Sequence, residues 1–218
     1  MLQYSYFIGV LVMLLIWGVM FYLREDLRKL MFISSLVCGV FGFFGALVYN
    51  QDWWLPLTLT HTFVGIEDFL FAFTLFGIAG FIGFHLYKFK LPKKINYEKL
   101  IKKVLFVSLV YYILLVLLYF LGVHSFYGSL IGGLLIYFYI VIKNNSLIKY
   151  SLISGLVVVI LLLPAYLIPE LLNPGWLKDA WMLENLTGLT FLGIVIEDVI
   201  WVYAAGICCS ALLKWLID

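Results

Sequence analysis

The chain has 218 residues, 65% of them apolar and 12% charged, with a mean hydropathy of +1.11 and a formal net charge of +2. A soluble domain of this length carries far more polar surface, so the composition excludes one and defines an integral membrane protein. No basic cluster interleaved with aromatics is present, which argues against nucleic acid as a partner and leaves the bilayer itself.

Apolar runs of about 20 residues span a bilayer. Seven are legible, at 2–23, 30–49, 64–87, 101–122, 126–142, 148–168 and 189–217. The first is followed rather than preceded by basic residues (Arg24, Arg28, Lys29), so it reads as a membrane helix and not a cleavable signal peptide. The fifth carries Gly128, Gly132 and Gly133, which let neighbouring helices approach. The odd-numbered connections hold twelve of the fourteen basic residues, among them Lys88, Lys90, Lys93, Lys94, Lys99, Lys102 and Lys103 in the third. The positive-inside rule then puts the N-terminus outside and the C-terminus in the cytoplasm of a multi-pass cell-membrane protein.

Against this background one tripeptide stands out, Ile66-Glu67-Asp68, which recurs as Ile196-Glu197-Asp198. Four of the twelve carboxylates lie in these copies, each near the start of an apolar run that enters from the outer face. An ionisable residue in such a run is by default a functional candidate. The copies are 130 residues apart, and Phe71 in the first matches Trp201 in the second. The expected fold is therefore all-α, a single membrane domain over 1–218 with about seven transmembrane helices in a 3+1+3 parallel pseudo-repeat. Repeat one covers about 1–90, the linker helix about 91–122 and repeat two about 123–218.

The loops before the acid pairs, 50–63 and 169–188, hold Trp53, Trp54, Trp176 and Trp181. These read either as an aromatic belt or as a mouth over the acids, with 176–186 as a short interfacial helix. Neighbouring carboxyls in apolar surroundings should share a proton, and a proton-holding carboxyl is what a general acid requires. Phe71 and Trp201, one turn beyond each Glu, offer ring faces to a developing cation. The alternative is that the acids are solvated at the interface and merely face positive helix N-termini.

Cys38, Cys208 and Cys209 lie in apolar runs and read as small core residues, not a disulfide framework. His61, near the first acid pair, has no counterpart in the second copy, where Phe191 stands. His85 and His124 sit near helix ends, and no histidine pair has ligand spacing, so no protein-made metal site is expected.

Two stretches carry a family resemblance. Thr62-Phe63-Val64-Gly65-Ile66-Glu67-Asp68-Phe69-Leu70-Phe71-Ala72-Phe73 resembles the first signature of the small membrane-integral lycopene cyclases, the heterodimeric or fused bacterial and archaeal type. Residues 186–201, with Thr187-Gly188, Gly193, Glu197-Asp198 and Trp201, resemble the second signature more fully. The family's proline before the acids is Gly65 in one copy and Val195 in the other, and its second Glu is Asp in both.

The resemblance implies a carotenoid cyclase acting as an isomerase, without cofactor. A carboxylic acid protonates the terminal alkene of a linear carotene, the cation closes onto an internal double bond, and a base removes a proton. It implies catalytic roles for Glu67, Asp68, Glu197 and Asp198, with Glu67 and Glu197 as principal acid and base tuned by the aspartates. Phe71, Trp201, Trp53, Trp54, Trp176 and Trp181 would contact the lipophilic carotenoid. A homo-oligomer or another carotenoid-pathway enzyme is the kind of protein partner expected. A second reading from another class is a small proton-coupled or sugar-type transporter with a 3-1-3 helix repeat. A non-catalytic membrane subunit is a third.

Overall fold

The computed structural model describes residues 4–92 and 95–217. Lys93 and Lys94 of the basic third connection lie outside the described residues, as do Met1, Leu2, Gln3 and Asp218. Among the described residues seven helices are long and apolar enough to cross a membrane, so the protein is an all-α polytopic membrane protein. They are α1 (Ser5–Leu23), α2 (Arg28–Tyr49), α3 (Ile66–Leu86), α4 (Tyr97–Phe120), α5 (Ser125–Lys143), α6 (Leu147–Leu172) and α8 (Ile196–Ile217); a four-residue helix, α7 (Trp176–Asp179), lies between the last two.

Three boundaries differ from the sequence expectation, each for a local reason. Helix α6 continues through Pro164 and Pro169 to Leu172, so the loop before the second acid pair begins at Asn173 rather than 169. Proline is tolerated inside a membrane helix where neighbours re-satisfy the freed backbone groups. The short helix expected over 176–186 is α7 followed by a separate 3-10 turn, Leu183–Asn185. The last span starts at Ile196 and not at 189. Thr190–Phe191 (β1) and Ile194–Val195 (β2) form an antiparallel hairpin instead, turned at Leu192 and Gly193 with positive φ at both. That geometry is the tight two-residue hairpin turn. Both Ile-Glu-Asp copies thus open their helices directly.

Packing follows from small residues at the crossings. α2 lies close along α3, where a Cβ on Gly42 would collide with that of Ala72. α6 lies close along α8, where a Cβ on Gly206 would stand 2.6 Å from Gly155 Cα. α3 and α8 pack on each other at the centre, with α1 against α3 and α5 against α8. The arrangement is unequal on its two sides. α1 packs directly along α6, whereas α4 is wedged between α2 and α5, which scarcely touch.

Candidate active site

The first turns of α3 and α8 place all four carboxyl side chains inside the protein. Glu67 is 0% exposed, Asp68 5%, Glu197 3% and Asp198 7%. Side chains this buried are not solvated in the fold, although Asp68 does cap the α3 N-terminus as the alternative reading had it. Within each pair the two acids diverge, because consecutive helical residues point about 100° apart.

The glutamates turn back toward the preceding loops. Glu67 Oε1 accepts the Leu59 backbone N–H at 2.7 Å, and Glu197 Oε1 accepts that of Thr187 at 2.8 Å. The second oxygen of each is buried with no hydrogen-bond partner among the described residues. The aspartates turn the other way. Asp68 and Asp198 both line a partly open cavity of about 170 Å³ walled by α2, α3, α4, α5 and α8, with Tyr6 of α1 and Tyr166 of α6 also on its lining; neither glutamate does. Asp68 is the third residue of α3, and its Oδ2 accepts the Gly65 N–H at 2.8 Å, which caps the helix and fixes the carboxyl. The Tyr6 hydroxyl donates to its Oδ1 at 3.0 Å. Asp198 has Tyr166, from α6, beside it, and its Oδ2 is buried without a hydrogen-bond partner among the described residues.

Aromatic rings surround the aspartates. Phe71 and Trp201 are stacked with centroids 6.3 Å apart and planes at 20°. Trp53 meets Trp201 edge-on at 5.6 Å, Tyr49 meets it at 6.2 Å, and Tyr6 meets Trp54 at 5.4 Å. All six of these rings line the cavity. Of the tryptophans expected to contact substrate, Trp53, Trp54 and Trp201 therefore face the chamber. Trp176 and Trp181 do not; they pack behind Trp54 at 6.3 and 4.4 Å and hold it in place.

The roof is a knot between the two loops that precede the acid pairs. Leu55 N–H donates to Ala180 C=O and Met182 N–H to Trp53 C=O, each at 3.0 Å. Asp52 accepts from Ser125 N–H at 2.9 Å and Ser125 O–H at 2.5 Å, and its carbonyl accepts from Asn185 Nδ2 at 2.8 Å. His61 is exposed in the first loop and not part of the lining.

Sequence reasoning missed Tyr6, Tyr49 and Tyr166, which no local motif distinguishes among fifteen tyrosines. Cys38, Cys208 and Cys209 are free thiols, as expected; Cys208 and Cys209 pack against the apolar core, and all three also border the chamber. Glu67 and Glu197 were expected to be the principal acid and base. Their orientation toward loop amides instead gives the chamber-facing positions to Asp68 and Asp198.

Fold and site together define a class: a polytopic membrane protein with paired carboxyls and an aromatic wall around an internal apolar chamber. Residues 124–216 match the family model described as lycopene cyclase. The matched stretch covers α5 to α8 and includes Glu197, Asp198 and Trp201, so the resemblance read from the second signature is shown. The match supports carotene cyclisation in general, and with it a place in carotenoid biosynthesis. No curated protein and no solved structure matches the chain.

Proposed function

We propose that the protein cyclises the linear end group of a carotene by acid–base catalysis within the membrane, with Asp68 and Asp198 as the reacting carboxyls. The observation that carries this reading is their joint placement on one apolar chamber beside the stacked Phe71–Trp201 pair. Asp198 presents an oxygen with no donor on it and is the group that carries the proton. It delivers this proton to the terminal double bond of the substrate. The tertiary cation that forms is attacked by an internal double bond, which closes the ring and moves the positive charge into it. The ring faces of Phe71 and Trp201 stabilise that charge by cation–π attraction. Asp68, held as an acceptor by Gly65 N–H and Tyr6 O–H, removes a ring proton and leaves the ring double bond. One proton enters and one leaves, so the reaction is an isomerisation with no net redox change. Glu67 and Glu197 are positioning residues that fasten the outer loops over the chamber.

The test is pigment analysis in a lycopene-accumulating cell. Asp68→Asn and Asp198→Asn keep shape but remove the titrating group, and both are expected to abolish ring formation while the protein still accumulates. Glu67→Gln and Glu197→Gln keep an acceptor for the loop amides and are expected to retain activity. Wild-type ring yield from Asp198→Asn removes that residue from the mechanism. Lost activity in both glutamine variants with the aspartate variants active restores the glutamates as acid and base.

A transporter reading finds less support. Its family of folds places helix breaks at corresponding points of both halves. Here the only prolines inside described helices are Pro164 and Pro169, both in α6.

A further inference from the structure

We infer that the carotene stands lengthwise in the chamber, parallel to α8, with one end group at the aspartates and its polyene running toward the opposite membrane face. The inference rests on the cyclisation reading above and adds to it the pose of the substrate and the residues that select its length.

The chamber is much deeper than the chemistry needs. On α8 its lining recurs every three to four residues, at Asp198, Trp201, Ala205, Cys208 and Leu212. That is one face of a helix, and at 1.5 Å per residue it extends about 21 Å below the acid. The antiparallel wall on α2 runs from Tyr49 down to Cys38 and Ser34, about 22 Å. Against a hydrocarbon thickness of about 30 Å, the chamber crosses roughly two-thirds of the membrane. A ring-forming end group occupies only the top of it.

The carboxyls are confined to that top. Below Trp201 the α8 wall is Ala205, Cys208 and Leu212, small or apolar, with Gly133 of α5 facing Cys208. A slot of this shape, with no buried charge along its length, is complementary to an extended hydrocarbon. Hydroxyls of Ser34, Ser108, Tyr111 and Ser129 also line it, but Tyr111 is paired with Tyr49 and Ser129 with the Phe126 carbonyl, so the slot offers a polar solute few free partners.

Among the described residues the chamber lies on the α2–α5 side. α4 holds α2 and α5 apart, while the equivalent space between α1 and α6 is closed by direct packing. A single chamber served by an aspartate from each half takes one end group at a time. A carotene with two linear ends must leave and re-enter reversed to be cyclised twice. Ala205 and Cys208, midway down, are the residues whose size sets how much chain is admitted.

The native thiols test the pose directly. Vesicles containing the Asp198→Asn protein, which holds substrate without turning it over, are loaded with lycopene and treated with a bilayer-soluble maleimide. Modification of Cys38 and Cys208 is followed by mass spectrometry. With lycopene at ten times its Kd, both thiols should react about tenfold more slowly than in lycopene-free vesicles. Ala205→Phe should in addition abolish ring formation from lycopene yet retain it on a short linear terpenoid bearing the same end group. Equal thiol reactivity with and without lycopene, in a protein whose wild type forms rings, overturns the lengthwise pose and leaves cyclisation standing. Thiol protection in a protein whose wild type forms no rings supports the pose and overturns cyclisation instead.

Discussion

Replacing Trp201 by leucine separates ring electrons from bulk at the place where the cation forms. The Trp201 ring lies 6.3 Å from Phe71, 5.6 Å from Trp53 and 6.2 Å from Tyr49, and it lines the chamber below Asp198. Two losses follow from its removal. Cation–π attraction is worth about 0.5–2 kcal/mol, the upper end applying to a desolvated site such as this one. At 1.36 kcal/mol per factor of ten, turnover should fall about two- to thirty-fold. The second loss is structural: each aromatic pair is worth roughly 0.5–1.5 kcal/mol beyond burial, so three pairs amount to roughly 1.5–4.5 kcal/mol of packing. That loss lowers the amount of folded protein rather than the rate per molecule. The assay is therefore the ratio of cyclised to linear pigment per unit of folded membrane protein. Trp201→Phe, which keeps a ring face, should fall between wild type and Trp201→Leu. Phe71→Leu should show the same kind of loss. If the wild type forms rings and Trp201→Leu and Phe71→Leu both match it per molecule, the assignment of these rings to the cation is wrong.

Further outcomes concern packing and orientation. Gly206→Leu should disrupt the α6–α8 contact, since even a Cβ there meets Gly155 Cα at 2.6 Å, and overpacking of this kind costs typically about 1–3 kcal/mol; thermal unfolding in detergent measures it. Gly133→Ala, whose Cβ would sit 3.5 Å from Cys208 Sγ, should leave the midpoint nearly unchanged. Asp52→Ala removes the acceptor of two Ser125 hydrogen bonds and should loosen the join between the outer loops and α5, read as faster proteolysis at 173–190. A cysteine at Asn96, which caps α4 next to the basic third connection, should react with an impermeant maleimide only after the cells are opened. Strong labelling in intact cells reverses the orientation and moves the acids to the cytoplasmic side.

The sequence alone carried the number and order of the spans, because a bilayer demands long apolar runs and these are visible without any partner. It also carried the two acid pairs with an aromatic one turn on, since helical spacing is local. Which acid of each pair meets the substrate was decided only in three dimensions. α3 and α8 are apolar nearly all round, so their sequences do not specify how each is rotated about its own axis. Rotation is fixed by distant contacts: Tyr6 of α1 on Asp68, the Leu59 amide on Glu67, the Thr187 amide on Glu197. The chamber was equally out of reach of the sequence. It is a gap between helices, produced because α4 separates α2 from α5 while α1 and α6 close on each other, and a gap has no residues of its own to read.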